Sequence, residues 1–257
     1  MANQLDTSEL RNLLSVAEEA SKIAEDIILP LYTEDISFQL KPDQTPVTIA
    51  DQKAEEAIWN YLQKETPNYA VLGEELGQSE KISARKWVID PIDGTKSFIQ
   101  KVPLFGTLIS LEIDDCPVLG VIACHALKET ATAAIGLGTE LNKRSVTVTD
   151  KKNIEDAIVL TTDPKSFYNR TKTGFSELLR AQQFRSWGDC YGYLAVACGR
   201  ADIMIDDVIN PWDISAASII VTEAGGKFSS WDGVDLLGKD AIATNGFLHT
   251  ELCEILK

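Results

Sequence analysis

The stretch WVIDPIDGTKSFI, residues 87–99, sets two aspartates three apart directly after an apolar run and follows them with Gly94 and Thr95. Trp87, Val88 and Ile89 suit a buried strand. Asp90 stands at the strand's end, Pro91 stiffens the exit, and Asp93 follows in the turn. Gly94 frees the backbone, and Thr95 starts a helix. A strand–turn–helix junction of this kind aims carboxylates and free N–H groups at one spot. Carboxylates with a backbone carbonyl between them are hard oxygen ligands suited to Mg2+, and N–H groups opening a helix suit a phosphate. Taken alone, D-x-x-D-G-T reads equally well as an Asp-rich turn that caps a helix.

Three further acidic islands change that weighing. In LGEEL, Glu74 follows a short strand as Asp90 does, so both can emerge on one sheet edge. In NPWDISAA, Pro211 opens a helix and Asp213 lies in its first turn, where a carboxylate also favours the helix dipole. In PVTIAD, Asp51 sits three residues after Thr48, again at a helix start. Each island has a local structural explanation. All four stand at element ends, where the functional groups of layered α/β proteins gather.

Outward from these islands, the first half reads as α+β. Leu10, Leu13, Leu14, Ala17, Ala20, Ala24, Ile27, Ile28 and Leu31 have helical spacing over residues 8–31, with Asp6 and Glu9 as a capping box and Pro30 at the end. The segment 33–47 is polar, with two prolines, and reads as a mobile hairpin or loop leading into Asp51. A second helix spans Ile49 to Lys64. YAVL and KWVI are short buried strands, and GTLISLEID, PVLGVIAC and ETATAAI are successive strands of a meandering, mainly antiparallel sheet. The second half alternates. AIVLTT, FRSWG, ADIMID, GKFSS and AIATN read as strands. TGFSELLRAQQ, DCYGYLAVACG, PWDISAASIIVTEAG and the C-terminus read as helices, an α/β layer arrangement. The junction falls near residues 138–152. It gives an N-terminal α+β unit over 1–145, which carries most candidate ligands, and a C-terminal α/β unit over 146–257, which carries Asp213.

The 257 residues suffice for one large domain or two closely joined ones, and 44% apolar content is ordinary for a packed protein. A formal net charge of −15 argues against a nucleic-acid or anionic-membrane surface. Five scattered cysteines without a CxxC pair indicate reduced thiols in a cytoplasmic protein, with neither a zinc site nor a disulfide framework. The polar N-terminus shows no signal peptide, and no run of about 18 apolar residues suggests a membrane span.

PVTIAD (46–51), GEE (73–75), DPIDGT (90–95) and PWDISAASIIVTEAGG (211–226), in this order, resemble the inositol monophosphatase superfamily of Mg2+-dependent phosphatases. The resemblance implies a layered αβαβα sandwich and metal-assisted attack of water on a phosphate monoester. It implies that Glu74, Asp90 and the carbonyl of Ile92 bind one Mg2+, that Asp90, Asp93 and Asp213 bind another, and that Glu74 contacts a looser third ion. Thr95, hydrogen-bonded to Asp51, would orient the attacking water, and the backbone of Gly94 and Thr95 would hold the phosphate. A homodimer and lithium inhibition are further implications. Divalent cations would thereby offset the repulsion between the two aspartates of the opening stretch, with Asp90 bridging ions roughly 3.5–4 Å apart. The two histidines, His125 and His249, lie in no motif and read as structural or surface residues.

Within that superfamily, RSWGDCYGYLAVACGRADIMID (185–206) looks most like the histidinol-phosphate phosphatase branch. Asp206 lies seven residues before Asp213, where the family places an acidic substrate contact. Asp189 and Asp206 would attract the ammonium and imidazole of histidinol phosphate. Asp189 reads also as an N-cap for the helix beginning near Cys190, and Asn210 as either a substrate contact or a turn former before Pro211. An inositol-1-phosphate or broader sugar-phosphate phosphatase is the alternative on the same scaffold. A catalytically silent metal- or phosphate-binding protein is disfavoured by the presence of both Asp51 and Thr95.

Overall fold

A computed structural model describes residues 5–34, 37–42, 45–234 and 236–257. Residues 1–4 of the polar N-terminus and Asp35, Ile36, Asp43 and Gln44 of the 33–47 segment lie outside the described residues, as does Asp235. In chain order the first half contains α1 (Thr7–Tyr32), β1 (Phe38–Leu40), β2 (Pro46–Thr48), α2 (Ile49–Glu65), β3 (Ala70–Gly73), β4 (Gly77–Gln78), β5 (Arg85–Asp93), α3 (Thr95–Ile99), β6 (Gly106–Ile113), β7 (Cys116–Cys124), β8 (Glu129–Ala134), β9 (Gly138–Leu141) and β10 (Arg144–Val146). The second half contains β11 (Ile158–Thr161), α4 (Pro164–Arg170), α5 (Lys172–Leu178), β12 (Gln183–Arg185), α6 (Asp189–Ala197), β13 (Ile203–Asp206), α7 (Pro211–Glu223), β14 (Lys227–Ser229), β15 (Ala241–Thr244) and α8 (His249–Leu256).

An eight-stranded sheet has the order β10-β9-β8-β7-β6-β5-β3-β4, and a five-stranded sheet the order β12-β11-β13-β15-β14. The first is antiparallel except where β3 runs parallel to β5. In the second, β11 runs parallel to both β12 and β13. Side chains alternate across each strand, so each sheet feeds two cores. Trp87, Ile89, Ile109 and Val121 pack under α1 and α2, whereas Leu108 and Ile122 face the opposite way, towards α6 and α7. Leu160 and Met204 close that central layer from the second sheet, and Val159, Ile203 and Ile205 point outward against Phe167, Leu178 and Leu252 of α4, α5 and α8. The layers are therefore α, β, α, β, α.

Position in the stack explains helix composition. The outer α1 buries one stripe, Leu10, Leu13, Ala17, Ala20, Ala24 and Ile28. The central α7 is buried continuously from Ile214 to Val221, as a helix flanked by two sheets requires. Within it Ser215 Oγ donates to Glu112 Oε1 at 2.7 Å and accepts from Ser110 Oγ at 2.6 Å, while Lys86 Nζ lies 2.9 Å from Glu112 Oε2. This polar chain fixes α7 against β6.

Several elements differ from expectation. Pro30 sits inside the last turn of α1, which runs on to Tyr32. The expected end of a strand at Asp90 is instead an irregularity. After Asp90 pairs with Leu108, the register slips, and Asp93 pairs with Gly106. Pro91 cannot donate to the ladder, which breaks the pairing there, and its carbonyl accepts from Thr107 Oγ1 at 2.8 Å. The short strands β4, β9 and β10 and the helix α4 were not expected. The first sheet ends at Val146 and the second begins at Ile158, yet both pack on α6 and α7, so the two halves share the central layer.

Candidate active site

The slipped end of β5 and the first turn of α7 bring their carboxylates together, and β3 ends beside β5 one residue before Asp90. Asp90 is buried, and its Oδ1 accepts the Ile92 N–H at 3.0 Å, which holds the carboxylate inside the bulge. Asp213 is the third residue of α7, and its Oδ2 accepts the Asn210 N–H at 2.7 Å, closing a capping box. Asp90, Asp93 and Asp213 each offer a carboxylate oxygen, and the three oxygens lie within 4.8 Å of one another.

Such a group cannot stay fully ionised by itself. Burial, then the charges of Glu74, Asp93 and Asp213, push Asp90 well above the usual carboxylate range. Burial, then Asp189 and Asp213, do the same to Asp93. Burial pushes Asp213 up to about 7, with Glu74 adding to the rise. A carboxylate cluster of this kind, with Asp90 buried and Asp93 and Asp213 half-buried, suits a hard divalent cation, whose charge reverses the penalty, and an all-oxygen donor set selects the Mg2+, Mn2+ or Ca2+ class.

Glu74 stands outside that tight trio. It follows β3, beside β5, and its N–H donates to the Ile89 carbonyl at 3.2 Å. Its Oε1 lies 2.8 Å from Lys41 Nζ, and Lys41 also pairs with Glu75 at 2.5 Å. The turn is braced from below by Glu55 of α2, whose carboxylate accepts the N–H groups of Glu75 at 2.9 Å and Leu76 at 2.7 Å. Burial raises Glu55 to about 7. Gly73 makes room for it, since a Cβ there would fall 2.0 Å from Glu55 Oε1. The sequence reading missed Lys41 and Glu55. Glu55 had a signal: it lies four residues after Asp51, an acidic group beside the buried Ala54.

Thr95 Oγ1 lies 3.3 Å from Asp51 Oδ1 and 3.1 Å from the Ile92 carbonyl. The other oxygen of Asp51 accepts from the Thr48 N–H and hydroxyl at 2.8 and 2.6 Å, and burial raises the Asp51 carboxyl. Gly94 caps α3 with φ +85°, and a Cβ there would press on the Leu104 carbonyl at 2.9 Å. Opening amides of a helix have no intrahelical acceptor, so this first turn is free to present N–H groups to an anion.

On the far side of Gly94 lies Asp189. A Cβ on Gly94 would come 3.2 Å from Asp189 Oδ2. Asp189 is the first residue of α6 and not its cap, which is Gly188. Its backbone is left-handed, φ +50°, and its N–H donates to Thr162 Oγ1 at 2.8 Å. Burial, then the Asp206 charge, raises Asp189 to about 7. Asp206 ends β13 and is buried. Its Oδ2 accepts from Tyr193 OH at 2.6 Å and its Oδ1 from the Thr162 N–H at 3.3 Å. Asn210 is exposed beside Asp213, to which its side-chain amide donates at 3.4 Å.

The remaining residues singled out have structural partners. Tyr193 is core, and Arg200 forms a two-pronged ion pair with Glu129 at 2.6 and 2.8 Å. Both histidines are buried: His125 Nε2 meets Thr107 Oγ1 at 2.8 Å, and His249 meets Ser229 and Thr244. All five cysteines are free thiols, and among the described residues no helix is long and apolar enough to cross a membrane.

Residues 9–257 match the description of the inositol monophosphatase family. The chain is 39% identical over 252 residues to a histidinol-phosphatase of Chlorobaculum parvum, covering 96% of this chain and 95% of that protein. It is 34% identical over 261 residues to an inositol-1-monophosphatase of Synechocystis, covering 97% and 90%. Among solved structures, the extragenic suppressor protein suhB from Bartonella henselae superposes with a TM-score of 0.90 at 28% identity, covering 96% and 98% of the two chains.

Proposed function

The chain belongs to the inositol monophosphatase family and is a phosphoric monoester hydrolase, and from that premise we propose that its ester is histidinol phosphate, cleaved to histidinol and phosphate in histidine biosynthesis. The observation that carries this reading is the carboxylate of Asp189 beside Gly94, with Asp206 behind it. Two acidic groups on that side of Gly94 would favour an ester bearing an ammonium and an imidazole over one bearing neutral hydroxyls. The higher identity to a histidinol-phosphatase supports the same choice. The 34% identical inositol-1-monophosphatase favours the second reading, an inositol-1-phosphate or broader sugar-phosphate phosphatase.

The family's enzymes depend on metal, and the donor set here fits Mg2+. Glu74, Asp90 and the Ile92 carbonyl would hold one ion, Asp90, Asp93 and Asp213 a second, and Glu74 a looser third. Bound there, the ions would neutralise phosphate charge, acidify a water and stabilise the leaving oxygen. The chain's own groups do the rest. With its hydroxyl hydrogen bonded to Asp51 Oδ1, Thr95 Oγ1 would present a lone pair that orients the attacking water. Glu74 would share that task. The amides of Gly94 and Thr95 donate to the phosphate oxygens. Asp189, Asp206 and Asn210 form the organic end. The reading includes a homodimer in the cytoplasm.

Side-by-side kinetics with saturating Mg2+ test the substrate. A higher kcat/KM on histidinol phosphate than on inositol 1-phosphate is expected, and the reverse order would overturn the choice.

A further inference from the structure

Three strands, β12, β11 and β13, run parallel, and their carboxyl ends carry the groups assigned above to the organic part of the ester. In the order β12-β11-β13, β11 is the middle strand. Its neighbours deliver the two acidic groups: the chain leaving β12 reaches Gly188 and Asp189, and β13 ends on Asp206. In open α/β sheets, ligands bind in the crevice outside such carboxyl ends. The residue leaving the middle strand is Thr162, and it touches both sides. Its hydroxyl accepts the Asp189 N–H at 2.8 Å, and its own N–H donates to Asp206 Oδ1 at 3.3 Å. Gly188 lies flat against it: a Cβ on Gly188 would fall 2.3 Å from Thr162 Cα and 2.4 Å from its Oγ1.

These contacts matter because Asp189 holds an unfavourable backbone conformation. A left-handed φ of +50° is tolerated by Asp at a cost and needs neighbours that fix it. The Thr162 hydroxyl is the acceptor that secures the Asp189 amide in that state. Asp206, in contrast, spends one oxygen on Tyr193 OH and the other on the Thr162 amide. We propose that Thr162 is a positioning residue for substrate selection, which aims the Asp189 carboxylate at the organic part of the ester while Asp206 serves as its anchor. This division of labour rests on the proposed phosphatase reading and deepens it: Thr162 sets where the Asp189 carboxylate points, and Asp206, which anchors Thr162 through its N–H, adds its negative charge from behind.

The test compares the wild type with Thr162→Val, which keeps shape but removes the acceptor, and Thr162→Ser, which keeps the hydroxyl. Each is assayed on histidinol phosphate and on p-nitrophenyl phosphate, which carries no cation, and Mg2+ binding is followed by calorimetry. Thr162→Val should raise KM for histidinol phosphate roughly tenfold or more while KM for the aryl ester and Mg2+ affinity stay unchanged, and Thr162→Ser should restore the wild-type ratio. An equal loss on both esters, or no loss on either, would overturn the proposal. If Thr162→Val melts below the assay temperature, Thr162→Ala is read by the same criteria. A wild type that prefers inositol 1-phosphate would sink the substrate reading alone. Thr162 would then be judged on that ester against the aryl one.

Discussion

Asp51 and Thr95, forty-four residues apart, meet at 3.3 Å through one carboxylate oxygen and one hydroxyl. Asp51 is the N3 residue of α2, locked by its capping box with Thr48, and Thr95 opens α3. A capping residue thereby doubles as the acceptor that orients a hydroxyl beside the carboxylate cluster. Thr95→Ala should lower kcat by roughly 10²–10⁴-fold, the usual range for a lost proton-transfer partner, with Mg2+ affinity retained. Steady-state kinetics with a parallel binding isotherm check it. A variant that loses metal affinity and kcat together would assign Thr95 to the metal site instead.

Removing one charge from the acidic trio should act in opposite directions on the two states of the protein. Without metal, the buried Asp90 and the half-buried Asp93 and Asp213 repel one another. Asp93→Asn should therefore raise the melting temperature of the metal-free protein. It should also abolish most of the Mg2+-induced shift, which for a ligand at a hundred times its Kd is worth about 2.7 kcal/mol. Calorimetric melts with EDTA and with Mg2+ measure both effects. A destabilised metal-free variant with an intact Mg2+ shift would contradict the prediction.

The helix bearing Asp213 is held by the Ser110–Ser215–Glu112 chain. Ser215→Ala leaves Glu112 Oε1 short of a donor in a buried place and should cost roughly 1–3 kcal/mol, read from urea unfolding. A loss near zero would mean that the chain does not secure α7.

How much of this was legible in the sequence follows from how local each signal is. The helices α1 and α2 were readable because periodicity and caps are short-range. The helix α7, buried from Ile214 to Val221, was readable from its unbroken small and apolar run and from Pro211. The strands β4, β9 and β10 have two to four residues and are defined by their neighbours more than by their own composition. The helix α4 had a local signal that was overlooked, since Asp163 caps it ahead of Pro164. The acidic islands were visible because they end elements. Lys41 and Thr162 act through contacts with residues 33 and 44 positions away, and nothing in their immediate surroundings announces those partners; Glu55 carried the helical spacing from Asp51, but its partners lie 20 and 21 positions on.

His249 supplies a pH dependence apart from the cluster. It is 1% exposed, and burial lowers its imidazole to about 4. The unfolded imidazole binds a proton below its usual value near 6.5 and the folded one only near 4, so stability is lost as pH falls through that window. His249→Gln lacks the titration. Its stability deficit relative to wild type should shrink between pH 7 and pH 4.5 by a few kcal/mol at most, measured by urea unfolding of both proteins in the same buffers. A deficit that is constant or grows on acidification would show that folding does not depress the imidazole.

Crystals soaked in Mn2+ and measured at its absorption edge address the metal site itself. Anomalous peaks among Asp90, Asp93 and Asp213, with another beside Glu74 and the Ile92 carbonyl, are the predicted result. Well-occupied Mn2+ found only elsewhere on the protein, with the acidic cluster empty at concentrations that support turnover, would contradict it.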